Sequence, residues 1–492
     1  MRIAIISTYT HPTRIPRKER SVMQSAVPYL LASLCPPDAE IEVYNEKEDD
    51  IPLDREWDLV FFSYLHAYYE HTKVLSTLFR RRGMVTVAGG RHAGHFREDV
   101  AQYFDAVVVG EPEANVPQLI RDLEAGALQR VYDLPPVETC QIRPYRWDLM
   151  DYAKNRYTVP VIEASRGCPF SCNFCVLTGW ERYRCRPVED VVRDIQMHMK
   201  FNQGWLGAFD RTFTFADNNL GGSPAYLRAL CEALIPLDVY WGCALTYNIL
   251  ADRELVQLMA RAGCRYIYTG LESLSPEAIR SMKKRQNTLK DTAQTLRFAF
   301  QQGIMPSFGL LVGSDGDTED YLRRLPDYLD DLGPHAVTFM ALVCPYPETP
   351  YFRTVVEEGR LLPGVTSRDL DGYTLCHRPK NIEPEAAIEH YKRLVNVVGA
   401  PVRTARNVWS QLWLSDAPRY KPIILGGGLE TTSIRAPLAN RERTFLAGHD
   451  PIEAWDRQMM LELGLKPQQI TPRSADHLVD MPTQRRALRK VA

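Results

Sequence analysis

The stretch Glu163–Gly179 reads EASRGCPFSCNFCVLTG and places Cys168, Cys172 and Cys175 within eight residues. Three residues separate the first two cysteines, and two separate the last two. Structural zinc usually takes four protein ligands in two separated pairs, whereas the next cysteine here, Cys185, lies ten residues beyond Cys175. An iron–sulfur cluster on three thiolates instead leaves one iron open to a small molecule. The spacing therefore favours a cluster, with zinc and chance clustering as the alternatives.

The three cysteines follow an apolar run, VPVIEAS (159–165), that is typical of a buried strand. Helical segments separate it from five similar runs, which are TFTFAD (212–217), YWGCALT (240–246), YIYTGLE (266–272), SFGLLVG (307–313) and VTFMALV (337–343). Six strand–helix units are too few for a complete eight-unit barrel. We therefore predict a partial (β/α)6 barrel over residues 159–378, with the cysteines at the strand ends where such barrels carry their chemistry.

The first third of the chain also alternates apolar runs with helical patterns. The runs predicted to be buried parallel strands are IAIIS (3–7), IEVYN (41–45), LVFFSY (59–64), VTVAGG (85–90) and AVVVGE (106–111). This alternation predicts an α/β, doubly wound, Rossmann-like domain over residues 1–135. Open α/β sheets bind ligands at the carboxyl ends of their strands, although glycine there also serves tight turns. The residues at these ends include Ser63, Gly89, Gly90, Gly110 and Glu111.

Two further regions complete the predicted organisation. The proline-rich run LPPVETCQIRP (134–144) leads into a linker, which we place at residues 136–158. Beyond residue 378 the pattern becomes mainly helical, as in PEAAIEHYKRLVNVV (384–398) and TARNVWSQLWL (404–414). We therefore predict a helical C-terminal region over residues 379–492.

The overall composition describes an ordinary globular chain. Its 492 residues carry a formal charge of −2, so no basic field attracts nucleic acid. No apolar run approaches the roughly 20 residues that a membrane helix needs. Eleven cysteines without a secretion signal predict mostly free thiols or metal ligands in the cytoplasm.

The motif C-x3-C-x2-C, with Phe174 before its last cysteine, resembles the cluster motif of the radical S-adenosylmethionine (SAM) enzymes. The resemblance implies that Cys168, Cys172 and Cys175 are catalytic and bind a [4Fe-4S] cluster, whose open iron chelates SAM. It also implies that an electron from the cluster cleaves the sulfonium and yields a 5′-deoxyadenosyl radical. An external donor of the flavodoxin or ferredoxin type would supply that electron.

Other strand ends are similar to motifs of the same family. Residues 215–219 resemble its second-strand motif, residues 270–273 its fourth-strand motif and residues 309–313 its fifth-strand segment. Besides Phe174, the residues that the resemblance assigns to SAM are Asp217, Asn218, Glu272, Ser273, Leu311 and Gly313. The alternative is that Asp217 and Glu272 only cap the helices that follow them. After Gly313 the chain departs from the Pro-Gly-Glu-Thr type of run in many relatives, which puts a similar assignment for Asp317 in doubt.

A doubly wound domain ahead of such a barrel resembles the cobalamin-binding subfamily. Gly89–Ala93 and Val109–Glu113 are similar to segments of its N-terminal domains, and the resemblance implies that the strand-end residues of that domain contact cobalamin. The D-x-H-x-x-G motif that supplies a histidine to cobalt is absent, and His66 and His92 are interpreted as polar loop residues. A methylthiotransferase needs three cysteines before the barrel, where this chain has only Cys35 and Cys140.

Three functions remain open from the sequence. The first is a cobalamin-dependent radical C-methyltransferase that acts on a small-molecule or natural-product substrate. The second is a radical cyclase or rearrangement enzyme acting on a porphyrin, lipid or natural product, with or without cobalamin. The third is a non-catalytic protein with structural zinc. Cys344 and Tyr346, after the sixth barrel run, are further candidates for substrate contact, whereas Trp241 and the remaining cysteines are interpreted as core.

Overall fold

The structure, a computed structural model, describes residues 1–9, 25–151, 159–178, 182–201, 211–333, 335–347 and 349–400, with residues 402, 405, 409 and 461 beyond them. The predicted helix at 404–414, apart from residues 405 and 409, lies outside the described residues. Most of the predicted C-terminal region, 379–492, does so as well.

The first third of the chain forms a six-stranded parallel sheet in the order β2-β1-β3-β4-β5-β6. Its strands are β1 (Arg2–Ser7), β2 (Glu40–Asn45), β3 (Leu59–Ser63), β4 (Val85–Gly89), β5 (Ala106–Val108) and β6 (Val131–Tyr132). The helices that separate them are α1 (Val27–Leu34), α2 (Tyr69–Arg81), α3 (Arg91–His95), α4 (Arg97–Val100) and α5 (Pro112–Glu124). The order reverses between β1 and β3, which is the point where doubly wound sheets open a ligand crevice.

Two features of this sheet differ from the prediction. The run at 41–45 is not a buried strand, because β2 pairs only with β1 and lies at the sheet edge with half-buried side chains. A sixth strand, β6, was missed because its two residues carry no recognisable period.

The second sheet contains six parallel strands in strict reverse sequence order, β14-β13-β12-β11-β10-β7. They are β7 (Val161–Ile162), β10 (Thr212–Phe215), β11 (Tyr240–Leu245), β12 (Cys264–Glu272), β13 (Met305–Val312) and β14 (Ala336–Leu342). An antiparallel pair, β8 (Ser165–Arg166) with β9 (Arg184–Cys185), stands apart from the sheet. The first predicted run, 159–165, is thus divided between β7 and the start of β8.

Helices follow most strands of this second sheet. They are α6 (Val188–Phe201), α7 (Pro224–Leu234), α8 (Arg253–Arg261), α9 (Pro276–Ser281), α10 (Thr292–Gln301), α11 (Glu319–Asp331), α12 (Pro350–Glu357) and α13 (Pro384–Val398). Several begin with a side-chain cap, as where Asp252 Oδ1 accepts the Leu255 N–H at 3.0 Å. Such caps contribute about 1 kcal/mol each and fix the residue at which these helices begin.

The described part of the predicted linker packs against a helix beside each of the two sheets. Trp147 is fully buried, and its ring centroid lies 5.0 Å from that of Tyr29 in α1 and 5.7 Å from that of His198 in α6. One hydrophobic core therefore continues from the first sheet into the second.

The predicted fold class, a doubly wound α/β sheet followed by a partial barrel of six parallel strands, is confirmed. Within the described part of the chain, no helix combines the length and the hydropathy needed to cross a bilayer.

Candidate functional site

The loop that carries the three cysteines is closed at its base by the β8–β9 pair. Inside it, the Cys175 N–H and the Thr178 Oγ1 both donate to the Cys172 carbonyl, at 3.2 and 2.7 Å. Asn173 joins the loop to the end of α9, since its N–H donates to the Met282 carbonyl at 3.2 Å. The loop is thus fixed both internally and against the barrel.

The thiols of Cys168, Cys172 and Cys175 lie close enough to act on one another electrostatically. Burial, reinforced by the neighbouring sulfurs, raises the pKa of Cys172 and Cys175 above the usual thiol value. Gln286 Nε2 donates to Cys172 Sγ at 3.3 Å, and Asn219 Nδ2 donates to Cys168 Sγ at 3.6 Å. Amide donors of this kind stabilise sulfur that carries negative charge.

This donor set fits an iron–sulfur cluster. It supplies three soft sulfur ligands, and hydrogen bonds to the sulfurs are a feature of such sites. Among the described residues, no three His, Cys, Asp or Glu side chains are arranged to hold a single metal ion.

An ion pair lies beside the thiols. Lys284 Nζ donates to Glu272 Oε1 at 2.7 Å, both side chains are nearly buried, and the ammonium lies 5.8 Å from the Phe174 ring centroid. Glu272 ends β12 with a φ of 65°, a left-handed conformation that costs energy for a residue with a side chain. Glu272 does not cap the next helix, because Ser275 does so. Its strained placement next to the cluster loop favours a binding function.

Asp217, after β10, is completely enclosed. Its carboxylate accepts the Ser165 hydroxyl at 2.5 Å and the Ala164 N–H at 3.1 Å, so it ties β10 to the start of the cluster loop. Burial raises the pKa of Asp217 to about 7. Asn218 is exposed beside it, whereas the buried Asn219 accepts the Thr246 N–H at 3.1 Å. Asp217 thus positions the backbone of the loop.

The other residues assigned to SAM lie at the ends of β12 and β13. Ser273 Oγ donates to the Tyr321 hydroxyl at 2.9 Å. The Leu311 side chain packs in the same small clusters as Phe174. Gly313 has a φ of 86°, and its N–H donates to Asp317 Oδ2 at 2.9 Å. Asp317 therefore stabilises the turn after β13 and does not reach outward.

The strand ends of the doubly wound sheet leave room for a ligand. A side chain added at Gly89 or Gly110 would meet nothing within 4 Å, and Gly90 has a φ of 100° that favours glycine. Ser63 is half-buried at the end of β3. Glu111, by contrast, accepts hydrogen bonds from Arg166 and Arg184.

The carboxyl ends of the two sheets face each other. Arg91 Nη1, after β4, donates to the Val176 carbonyl in the cluster loop at 3.3 Å. His66, after β3, lies with its ring centroid 5.9 Å from that of Tyr346, which follows β14. Cys344 is buried beside Tyr346. The site therefore lies between the two sheets.

His66 and His92, interpreted from the sequence as polar loop residues, form a buried pair. Their Nδ1 atoms are 2.9 Å apart, and burial holds the pKa of His92 well below its usual value. The aromatic rings of Tyr64, Tyr69 and Phe96 surround His92. The apolar run before His66 does not predict this packing.

The sequence analysis did not assign three residues that the structure places at the site, namely Asn219, Lys284 and Gln286. Asn219 lies in the quoted second-strand motif, so position could have indicated it. Lys284 and Gln286 lie in SMKKRQN (281–287), more than a hundred residues from the cysteines and without a periodic signal. Only the folded chain brings them to the sulfurs.

The raised pKa of Asp217 predicts a pH-dependent stability. Below the unfolded pKa the carboxyl is protonated in both states, and its contribution is fully present; as pH rises through 7 that contribution is lost. Asp217→Asn should therefore lose less stability between pH 5 and 8 than the native chain, by on the order of 2 kcal/mol. Urea midpoints at several pH values measure this. Asp238→Asn, an exposed carboxylate, is the control, and equal slopes for the native chain and Asp217→Asn would contradict the prediction.

Residues 162–329, which contain the cysteine loop and most of the half-barrel, match the family model described as the radical SAM superfamily. The chain thus contains a radical SAM domain. It is therefore an enzyme of the class that uses a [4Fe-4S] cluster and SAM.

Two curated relatives of this radical SAM chain come from Chlorobaculum tepidum. Bacteriochlorophyllide d C-12(1)-methyltransferase is 26% identical over 64% of this chain and 69% of its own length. Bacteriochlorophyllide d C-8(2)-methyltransferase is 26% identical over 85% of this chain and 93% of its own length. An anaerobic magnesium-protoporphyrin IX monomethyl ester cyclase from Rubrivivax gelatinosus is 25% identical over 55% of this chain and 53% of its own length.

Among solved structures, the radical SAM methyltransferase TsrM from Kitasatospora setae shares the fold. It superposes with a TM-score of 0.64 at 17% identity, covering 89% of this chain and 98% of its own. TsrM has also been solved with cobalamin and a [4Fe-4S] cluster bound. The similarity extends over both sheets.

Proposed function

We propose that this chain is a cobalamin-dependent radical SAM C-methyltransferase acting on a small molecule. The observation that carries the proposal is the opposition of the two sheets. The cluster loop and the glycine-bearing strand ends of the doubly wound sheet face each other and are joined by the Arg91–Val176 hydrogen bond. Such an arrangement lets two cofactors meet one substrate.

The residues divide between the groups they would hold. Cys168, Cys172 and Cys175 would bind the cluster. SAM would lie against Phe174, Asn218, Glu272, Ser273, Leu311 and Gly313, beside the loop backbone that Asp217 positions, and cobalamin against Ser63, Gly89, Gly90 and Gly110. When bound, these groups supply a carbon-centred radical and a transferable methyl group.

The chain's own residues position and shield these groups. Glu272, paired with Lys284 beside the cluster loop, offers a carboxylate suited to an ammonium or to ribose hydroxyls. Leu311 and Phe174 offer an apolar wall of the kind that suits a purine face. The buried rings around His92 keep water from the other side of the site.

The free state of all eleven cysteines suits a reducing cytoplasm, where we place the protein. We also infer a flavodoxin- or ferredoxin-type electron donor and no nucleic-acid partner. Turnover with reduced flavodoxin or ferredoxin in place of a chemical reductant tests the donor.

The proposal is tested with Gly89→Val in anaerobically reconstituted protein. The native chain is expected to retain corrinoid and to form both 5′-deoxyadenosine and S-adenosylhomocysteine. Gly89→Val should weaken corrinoid binding by at least about tenfold, because valine occupies the open space at the end of β4. Iron content should stay unchanged, and Ala127→Val, at an exposed position, is the control.

A native protein that binds no corrinoid would refute the methyltransferase proposal. The cyclase alternative is favoured by the relatedness to the Rubrivivax gelatinosus cyclase. Deoxyadenosine without S-adenosylhomocysteine, and a product without an added methyl group, would support that alternative.

A further inference from the structure

The base of the cluster loop carries two arginines side by side. Arg166 of β8 lies directly opposite Arg184 of β9 in the antiparallel register. Residues opposite each other in such a pair share one face, and like charges there are destabilising. The pair that closes the loop therefore needs carboxylates against this face.

The doubly wound domain supplies two of those carboxylates. Glu111 accepts hydrogen bonds from Arg166, at 2.8 Å, and from Arg184. Glu113 Oε1 accepts Arg166 Nη2 at 2.6 Å. Only 9% of the Arg166 side chain and 2% of the Glu113 side chain are exposed. Arg166 also donates to Glu163, just before β8, at 2.8 Å, so it is held by carboxylates from both domains, whereas the carboxylate on Arg184 comes from the doubly wound domain.

The position of these glutamates in the fold links the contact to the site. They begin α5 directly after Gly110, at the carboxyl end of β5. The ion pairs between these glutamates and the two arginines therefore connect a strand end that has room for a ligand to the base of the cluster loop. Breaking a buried charge pair leaves an uncompensated charge, so the connection resists lateral movement.

We propose that Glu111 and Glu113 are positioning residues, which hold the cluster loop at a fixed distance from the ligand bound on the doubly wound sheet. This rests on the proposed function, because the fixed distance matters where two cofactors must meet one substrate. Glu111, expected from the sequence to contact cobalamin, is assigned to the loop instead. The resulting connection between Arg166, Arg184, Glu111 and Glu113 is called the carboxylate clamp.

The clamp is tested with Glu113→Gln in the full-length reconstituted protein. The amide replaces the charge at nearly constant shape and removes one of the three carboxylates that Arg166 contacts, so that only Glu111 still binds it from the doubly wound domain. Hydrogen exchange of the amides at 165–178 should become about tenfold faster, while the amides of β3 and β12 stay unchanged. Glu40→Gln removes an exposed glutamate of the same domain, paired with Arg2 at 3.9 Å, and should change neither region.

A second readout measures the distance itself. Dipolar electron paramagnetic resonance between the reduced cluster and cob(II)alamin should give one narrow distance in the native chain and a broader distribution in Glu113→Gln. Unchanged exchange together with an unchanged distribution would overturn the clamp. Faster exchange in a protein without corrinoid would support the clamp and refute the proposed function.

A milder substitution tests the proposal if the Glu113→Gln variant does not fold. Arg166→Lys keeps the charge but loses the planar guanidinium that contacts three carboxylates at once. It should accelerate exchange at 165–178 in the same direction. Native-like exchange in Arg166→Lys would overturn the proposal.

Discussion

Cys172→Ala is expected to abolish the visible absorption of the cluster and the formation of 5′-deoxyadenosine together. Cys172 is the most enclosed of the three thiols and also the one that receives the Gln286 amide. Because the cluster would have only three protein ligands, the loss of one thiolate should prevent its stable binding. Iron content, the absorption spectrum and deoxyadenosine after anaerobic reconstitution measure the loss.

Cys140→Ala is the matched control, because Cys140 is exposed and far in sequence from the loop. It should retain native iron and activity. Native iron and absorption in Cys172→Ala would show that the ligand assignment is wrong.

Glu272→Ala is expected to weaken SAM binding by about tenfold to a hundredfold while the cluster remains. A hydrogen bond to a charged group contributes about 1.5–3 kcal/mol, and Glu272 lies next to the thiols in a strained conformation. Titration of the reconstituted protein with SAM measures the affinity. Glu277→Ala, at an exposed ion pair with Arg280, should bind SAM normally.

A double variant separates contact with SAM from damage to the site. Glu272→Ala alone leaves the Lys284 ammonium buried without its carboxylate, which is itself costly. Glu272→Ala with Lys284→Met removes both charges. SAM binding that stays weak in the double variant supports direct contact, whereas recovery to the native affinity would show that Glu272 only neutralises Lys284.

The second sheet was largely predictable from the sequence because its central strands are buried on both faces. The runs at 240–246 and 307–313 correspond to β11 and β13 within two residues. Apolar runs of this length between helical segments leave few alternatives to a parallel sheet. The edge strands were harder, since β2 and β7 have neighbours on one side only.

The site was predictable where it coincides with a compact motif, as at the cysteine loop. The β8–β9 pair was not, because two-residue strands with opposed arginines carry no apolar period. The approach of Gln286 to Cys172, across 114 residues, depends on the packing of a whole barrel. Local patterns hold no information about contacts of that range.

The burial of Trp147 between α1 and α6 has a consequence for how such proteins are assembled. The indole packs against a helix of each half of the molecule, so separating the halves would expose apolar surface on both. Recombination that exchanged the amino-terminal half for that of another enzyme would have to carry along the tryptophan and its three aromatic neighbours, Tyr29, Tyr145 and His198. Substrate range in this architecture is therefore expected to diversify within each half and seldom by swapping halves.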